Sequence, residues 1–159
     1  MSQAQDPLQS LLAFQEALTA GVIQPLQSPL YPDLITFHDD ADGSPRFTYA
    51  LMEGNVVKAI AVYFLDKAVG NTPCFDIGYA VAERYRQQGN AHAVVEKSLA
   101  QLKHETRGKV HKLFVEAIVP NSNIASQKVA ARGLSTPPTE IVDGVSGRPS
   151  QQYLRLIEV

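Results

Sequence analysis

The chain has 159 residues, a formal net charge of −2, 45% hydrophobic residues and 19% charged residues. This length suits one domain with one core, and because no cluster of Lys or Arg stands out, neither a nucleic acid nor an anionic membrane is expected as a partner. The single cysteine, Cys74, excludes an internal disulfide and suits a reducing cytoplasm. The sequence has no apolar run long enough to span a bilayer, and Met1 to Asp6 lack the pattern of a secretory signal. We therefore expect one cytoplasmic domain over residues 1–159.

The first third of the chain predicts a helix followed by an irregular segment. Apolar residues recur at helical spacing over residues 7–20 and Gly21 follows, which is typical of an amphipathic helix and its end. Three prolines lie between Gln24 and Asp33, so this stretch predicts a connection. Residues 34–38 fit either a short strand or the same loop, and residues 39–45 are rich in turn formers.

The middle of the chain predicts strands and then a helix. Residues 47–52 and 56–65 flank Glu53-Gly54-Asn55, which is the pattern of a β-hairpin. Residues 74–82 are almost continuously apolar, which favours a strand buried on both faces. Residues 89–106 have the periodicity of an amphipathic helix, with Gln101 on the side expected to face water.

The last third predicts a strand, a helix and a final pair of strands. Residues 112–119 are apolar, and Ser122 or Asn123 can cap a helix that runs to Arg132 and stops at Gly133. Strands are expected at 140–142 and 153–157, on either side of a turn. The order of elements predicts an α/β fold with a mixed sheet and helices on both faces. The crossover through residues 89–106 is expected to be right-handed and to join parallel strands.

The junction between the strand 74–82 and its following helix has the features of a phosphate site. The first N–H groups of a helix lack intrahelical partners, and the helix dipole makes that end partly positive. Gly89 and then Ala91 leave room for a diphosphate to approach the backbone, and Arg86 can add a charged hydrogen bond. The alternative interpretation is a solvated turn whose glycine has no functional role.

Two motifs in this part of the chain resemble those of the GNAT superfamily of N-acetyltransferases. Arg86-x-x-Gly89-x-Ala91 is similar to the family signature Arg/Gln-x-x-Gly-x-Gly/Ala. Residues 117–130 resemble the family's strand–loop–helix motif, in which an Asn is followed three residues later by Ser and then by Val-Ala. The resemblance covers about residues 74–134 and is strongest to the branch that acetylates N-terminal alanine or serine of ribosomal proteins. In that branch an acidic residue precedes Ile-Gly-Tyr, as Asp76 does here.

The resemblance implies the GNAT acyl-CoA N-acyltransferase fold and the use of acetyl-CoA without a metal. It implies transfer of the acetyl group to a primary amine, on a small molecule or on a peptide or protein N-terminus, by direct attack. The pantetheine arm would pair with the central strand, the pyrophosphate would lie at the helix start, and the second motif would close the far side. By position, these contacts fall to Tyr79, Ala80, Val81, Arg86, Gln87, Gln88, Gly89, Asn90, Ala91, His92, Asn123 and Ser126.

Candidate catalytic residues follow from the need to take a proton from the attacking ammonium. Asp76 lies in an otherwise apolar strand, where burial raises a carboxyl pKa from about 3.9, and is the first candidate for the base. Glu116 on the neighbouring strand is the alternative, and either carboxylate could instead face solvent or pair with a basic residue. Ser126 is a candidate hydrogen-bond donor to the leaving thiolate.

The sequence departs from the family pattern at two places. Ala130 occupies the position at which many members carry the Tyr that protonates the thiolate, and Arg132-Gly133-Leu134 is one residue shorter than the usual end of the motif. These departures motivate the alternative function, a catalytically silent acyl-CoA-binding or interaction module with the same fold. The exposed sheet edge expected at the C-terminal strands would permit a homodimer.

Overall fold

The computed structural model describes residues 6–159, so the N-terminal segment 1–5 of the signal-peptide prediction lies outside the described residues. The described chain forms a mixed sheet of eight strands in the order β1-β2-β3-β4-β5-β6-β8-β7, with three α-helices. The strands are β1 (Leu26–Gln27), β2 (Leu34–Ala41), β3 (Ser44–Glu53), β4 (Val56–Val69), β5 (Thr72–Val81), β6 (Lys112–Pro120), β7 (Thr139–Val142) and β8 (Pro149–Glu158). The helices are α1 (Pro7–Ala20), α2 (Asn90–Thr106) and α3 (Ile124–Leu134).

Helix α1 has the predicted bounds because both of its ends are capped. The Asp6 carboxylate accepts a hydrogen bond from the Leu8 N–H, and Pro7 takes the first helical position, where a missing N–H costs nothing. Gly21 ends the helix in the left-handed conformation at φ 72°.

The segment after α1 is more regular than the sequence predicts. Residues 34–38 form a strand, and β2 and β3 together extend through most of the segment expected to be a turn. Strand β2 pairs with β3 up to Ala41 and Ser44, so only Asp42 and Gly43 form the turn. The two-residue turn places φ values of 51° and 83° in the left-handed region, which Asp and Gly tolerate.

The central strands confirm the predicted hairpin and the parallel pair of strands joined through α2. Strands β3 and β4 are antiparallel, β4 and β5 are antiparallel, and β5 and β6 are parallel neighbours joined through α2. Strand β4 contains a bulge, because the register with β5 shifts between Leu65 and Lys67. A bulge changes the face to which the following side chains point.

The prediction that Gln101 faces water was wrong. Gln101 is 3% exposed, and its side-chain oxygen accepts a hydrogen bond of 2.6 Å from the Ser28 hydroxyl. The segment 24–33 lies over this side of α2, since Lys97 also forms an ion pair with Asp33 at 2.8 Å. Periodicity identified the helix but could not show that an irregular segment covers its polar side.

Helix α3 ends two residues later than predicted. Asn123 caps its start, with its side-chain oxygen accepting the Ser126 N–H at 3.0 Å, and the helix runs past Gly133 to Leu134. Gly133 is needed for packing, because a Cβ built on it would lie 2.6 Å from Val95 Cγ1 of α2. Ser135 then closes the helix in the left-handed conformation at φ 55°.

The sheet separates two hydrophobic cores. Leu11 and Phe14 of α1 pack on one face with alternate residues of β3 and β4, and we call this the α1 face. Helices α2 and α3 cover the other face, the α2/α3 face, with Val95 and Leu102 fully buried. The prediction of a mixed sheet with helices on both faces is therefore confirmed. Among residues 6–159, no helix is both long and apolar enough to cross a membrane.

Candidate functional site

Parallel strands β5 and β6 separate in the middle of the sheet. They pair at Cys74–Phe114, Phe75–Val115 and Asp76–Glu116. Beyond that last pair, β5 stays paired with β4 as far as Val81, and β6 stays paired with β8 as far as Pro120. A split therefore opens between the carboxyl ends of two neighbouring strands, where backbone groups of β5 are left available to a ligand.

Cavities lie on both faces of this split. On the α2/α3 face, a cavity of about 780 Å³ is bounded by β5, the start of α2 and the start of α3. On the α1 face, a cavity of about 420 Å³ is bounded by the start of α1, β5 and β6. Both cavities are lined by Tyr79, Ala80, Val81, Arg86, Asn123 and Ser126. The shared lining means that the split connects the two faces of the sheet.

The start of α2 forms an open backbone cradle at the larger cavity. Gln87 and Gly89 both have left-handed backbones, with φ 60° and φ 79°, and Gly89 caps α2 without a side-chain hydrogen bond. Left-handed residues just before a helix can turn neighbouring N–H groups toward one concave side, which suits an anion. A Cβ added at Gly89 would meet no atom within 4 Å, so the space in front of the cradle is open.

The side chains around the cradle differ in where they point. Gln87, Asn90, Ala91 and His92 line the larger cavity together with Gly89. The Asn90 side chain donates a hydrogen bond of 2.9 Å to the Tyr85 carbonyl and fixes the loop. His92 Nδ1 is buried and has no hydrogen-bond partner among the described residues. An orphaned buried nitrogen beside an open cradle fits a polar ligand such as a diphosphate.

Arg86 and Gln88 contact the backbone of their own loop. Arg86 Nε donates to the Val81 carbonyl at 3.3 Å, so the guanidinium lies at the end of β5 and lines both cavities. Gln88 donates its side-chain amide to the Arg84 carbonyl at 3.3 Å and lies outside the lining of the two cavities. Only Gln88 of the predicted binding residues is therefore turned away from the split.

Tyr79 crosses the split and contacts the first turn of α3. Its hydroxyl donates to the Ser126 carbonyl at 2.8 Å and accepts from the Ser126 hydroxyl at 2.9 Å. Burial raises the pKa of Tyr79 to about 12, so the phenol stays protonated at neutral pH. Ala130 lies one turn further along α3 and is 1% exposed in the core. Tyr79 and Ser126 thus place two hydrogen-bonded hydroxyl groups beside the split.

The two candidate carboxylates lie side by side on the α1 face. Asp76 and Glu116 are register partners at the point where the strands begin to separate. Lys67 Nζ lies 3.2 Å from Asp76 Oδ1 and also contacts Glu116 Oε1. The Gln152 amide donates to the other oxygen of Glu116. We call Lys67, Asp76, Glu116 and Gln152 the carboxylate cluster.

The environments of the two carboxylates push their pKa values apart. Burial raises the pKa of Asp76 to about 7, and the neighbouring Glu116 adds to the shift while Lys67 opposes it. Burial also acts on Glu116, but hydrogen bonds from Lys67, Asp76 and Gln152 outweigh it and lower the pKa of Glu116. The pair can thus hold one proton near neutral pH, with the proton on Asp76. A carboxyl that titrates near pH 7 can accept a proton from an amine.

Sequence reasoning missed three groups at this site. Lys67 reaches the carboxylates through the bulge in β4, and the alternation of residues 56–65 contains no signal for it. Gln152 comes from β8, which is distant in sequence from both carboxylates. The Tyr79 side chain was expected to contribute through its backbone alone, and its contact with Ser126 depends on how far β5 and β6 separate.

These features define a class of protein. Its members have a mixed sheet that is split between two parallel strands, and an anion cradle at the start of the helix that connects those strands. A model of the acetyltransferase (GNAT) family matches residues 11–134 of this chain. The chain belongs to the GNAT family of acetyltransferases, as the two motifs predicted. No curated protein matches its sequence.

Solved structures share the fold at low sequence identity. A GNAT-family acetyltransferase from Streptococcus pneumoniae is 13% identical with a TM-score of 0.54, over 70% of this chain and 66% of that one. A putative GNAT-family acetyltransferase from Bordetella pertussis is 19% identical with a TM-score of 0.52, over 73% and 68%. RimJ of Mycobacterium smegmatis, solved in complex with CoA-disulfide, is 19% identical with a TM-score of 0.55, over 74% and 54%. The chain thus spans about half to two thirds of the length of these structures.

Proposed function

We propose that this chain is an acetyl-CoA-dependent N-acetyltransferase that acts on a primary amine of a small molecule or of a peptide or protein N-terminus. The observation that carries the proposal is the split between β5 and β6, which begins beyond the Asp76–Glu116 pair and is lined, on both faces of the sheet, by residues that include Tyr79, Arg86 and Ser126. A cosubstrate bound along the split from the α2/α3 face would meet an acceptor arriving from the α1 face. The predicted branch, the acetylation of ribosomal-protein N-termini, is one form of this activity.

The residues around the split would bind acetyl-CoA on the α2/α3 face. Backbone N–H groups of Gln87 to His92 would hold the pyrophosphate, with Arg86 adding charge at the mouth. Backbone groups of Tyr79, Ala80 and Val81, left without a β6 partner, would pair with the pantetheine amides. Asn123 and Ser126 would close the opposite wall. RimJ, which shares the fold, was solved with a coenzyme A derivative, and this supports the proposal.

The chemistry begins with removal of a proton from the acceptor ammonium, which otherwise has no lone pair for attack. Asp76 is the proposed base, directly or through a water molecule, because it is the more exposed carboxylate of the cluster and has the raised pKa. Acetyl-CoA supplies the thioester, whose carbonyl oxygen would accept a hydrogen bond from a backbone N–H near Val81. The sheet holds amine and thioester together, which reduces the entropic barrier to attack.

The leaving thiolate needs a hydrogen bond or a proton. Ser126 is the proposed donor, because its hydroxyl lines the split and no tyrosine occupies position 130. The Tyr79 hydroxyl holds the Ser126 hydroxyl in place at 2.9 Å. In this scheme the proton lost by the amine passes to Asp76. The Ser126 hydroxyl turns from Tyr79 to donate a hydrogen bond to the thiolate, which then takes its proton from solvent water.

The test is the substitution Asp76→Asn, assayed by thiol release from acetyl-CoA with a panel of amines. The wild-type protein should turn over at least one amine, and the variant should lose about 100-fold or more in kcat while still binding coenzyme A. Asp39→Asn is a matched control, because Asp39 is also a partly exposed carboxylate paired with a cation, Arg46, but lies on β2. Coenzyme A binding without turnover of any amine would favour the silent binding module instead.

The single-domain organisation, the cytoplasmic location and the homodimer stay predictions. Strand β7 forms one edge of the sheet, with Val142 69% exposed, and this edge is the surface through which a homodimer would form.

A further inference from the structure

The bulge in β4 directs Lys67 to the α1 face, from which the acceptor is proposed to arrive. Leu65 pairs with Phe75, and the next pair is Lys67 with Cys74. Residues directly opposite in an antiparallel pair point to the same face, and so do residues two apart on one strand. Lys67 therefore points to the same face as Cys74. Asp76 lies two residues after Cys74 on β5, so it shares this face, the α1 face. Without the shift in register, Lys67 would point to the α2/α3 face.

The contacts of the carboxylate cluster leave one carboxylate available. Glu116 has a 5% exposed side chain, with one oxygen contacted by Lys67 and the other by Gln152. Asp76 has a 36% exposed side chain, and its described partner outside the carboxylate pair is the same lysine. Both side-chain oxygens of Glu116 thus have partners inside the protein, whereas Asp76 can bind a further cation from the solvent side.

The charges of the cluster limit how much positive charge the site can accept. With both carboxylates ionised, Asp76, Glu116 and Lys67 together carry a net charge of −1, because Gln152 is neutral. One acceptor ammonium brings that sum to zero. A second ammonium close to the first would have no carboxylate to neutralise it and would lie near the fixed Lys67 ammonium, and like charges at such a distance repel.

We propose that Lys67 is a specificity-determining residue, which restricts the acceptors to amines that carry a single positive charge near the reacting nitrogen. Monoamines and peptide N-termini followed by uncharged residues fit this class, and short diamines and polyamines do not. This inference rests on the proposed function and names the substrate class of the same site.

The test compares butylamine with the four-carbon diamine putrescine, which carries a second ammonium on the terminal carbon. We define the selectivity as kcat/KM for butylamine divided by kcat/KM for putrescine, measured at low ionic strength. Four proteins form a charge series when they are assayed well above the pKa of Asp76, so that both carboxylates are ionised. Glu116→Gln brings the cluster to 0, wild type stays at −1, Lys67→Gln gives −2, and the double variant Lys67→Gln/Glu116→Gln returns it to −1.

The selectivity should follow the cluster charge. We expect it to fall roughly tenfold from wild type to Lys67→Gln, to return to near the wild-type value in the double variant, and to rise in Glu116→Gln. A purely structural role of Lys67 would change kcat/KM for both amines alike and leave the selectivity unchanged. Lys67→Arg keeps the charge and should keep the selectivity. The double variant and Glu116→Gln bury no unpaired carboxylate at position 116, so the ordering can be read even if Lys67→Gln folds poorly.

Two results would overturn the inference, and they are distinguishable. Acetylation of butylamine with the same selectivity in all four proteins would overturn the role of Lys67 and leave the proposed function intact. Failure of the wild-type protein to acetylate any amine, with the fold intact, would overturn the proposed function and this inference with it.

Discussion

At the scale of single residues, the site depends on two carboxylates that differ in their surroundings. Asp76 and Glu116 are neighbours across β5 and β6, yet the pKa of Asp76 is raised to about 7 and that of Glu116 is lowered. The difference arises because Glu116 receives hydrogen bonds from Lys67 and Gln152, whereas Asp76 is partly buried beside a second carboxylate. Of the two carboxylates, Asp76 can thus act as the proton acceptor while Glu116 stays ionised as a fixed charge.

The raised pKa of Asp76 predicts the pH dependence of acetyl transfer. A base must be ionised to accept a proton, so activity should be lost as the pH falls through about 7 and should be retained above it. A plot of log kcat/KM against pH should therefore change slope near pH 7 in the wild-type protein. In Asp76→Asn this break should disappear, and a break that persists there would assign it to another group.

Ser126 and Tyr79 predict a separable effect on the leaving group. Removal of the Ser126 hydroxyl in Ser126→Ala should lower kcat about tenfold or more, because the thiolate loses its hydrogen-bond donor. Tyr79→Phe removes the partner of Ser126 but keeps the serine hydroxyl, so its effect should be smaller. Single-turnover rates with acetyl-CoA would measure both, and a larger loss in Tyr79→Phe would make the phenol the more important donor.

At the scale of elements, the start of α2 combines backbone geometry with binding. Gly89 adopts φ 79°, and Gly108, just beyond the other end of the same helix, adopts φ 82°. A Cβ at either position would meet no protein atom within 4 Å. The two glycines thus impose the same conformational requirement, and only Gly89 lies at the proposed diphosphate site.

This pair predicts the outcome of two alanine substitutions. Gly89→Ala and Gly108→Ala should each cost about 1 kcal/mol of stability, because an alanine must adopt the left-handed conformation. Only Gly89→Ala should weaken coenzyme A binding, by about tenfold or more, since its Cβ would lie between the backbone N–H groups and the ligand. Urea denaturation and calorimetry would measure the two quantities. Equal weakening by both variants would mean that the effect comes from strain alone.

The contact between α2 and α3 predicts a packing defect. Gly133→Ala would bring a methyl group to 2.6 Å from Val95 Cγ1, and overpacking of this kind costs about 1–3 kcal/mol. Gly144→Ala is the control, because a Cβ there meets nothing within 4 Å and the backbone needs no left-handed conformation. Gly133→Ala should cost less stability in a Val95→Ala background, because the clashing methyl group is then absent. If the changes in the free energy of unfolding of the two single variants add up to that of the double variant, this contact is contradicted.

At the scale of the whole molecule, the sequence predicted local elements better than the contacts between them. The bounds of α1 agree with the prediction, since capping and periodicity act within a few residues. Gln101 was assigned to solvent because the contact with Ser28, far away in sequence, leaves no local signal. The same limit applies to the site: motifs identified Gly89, Asn123 and Ser126, whereas Lys67 reaches Asp76 through a bulge that alternation does not predict.

The account depends most directly on the association of coenzyme A with the cradle at Gly89. Calorimetric titration of the purified protein with coenzyme A should show saturable binding of one molecule per chain, with micromolar affinity that weakens in Gly89→Ala and is unchanged in Gly108→Ala. Absence of saturable binding by the folded wild-type protein, or equal affinity in all three proteins, would contradict the account.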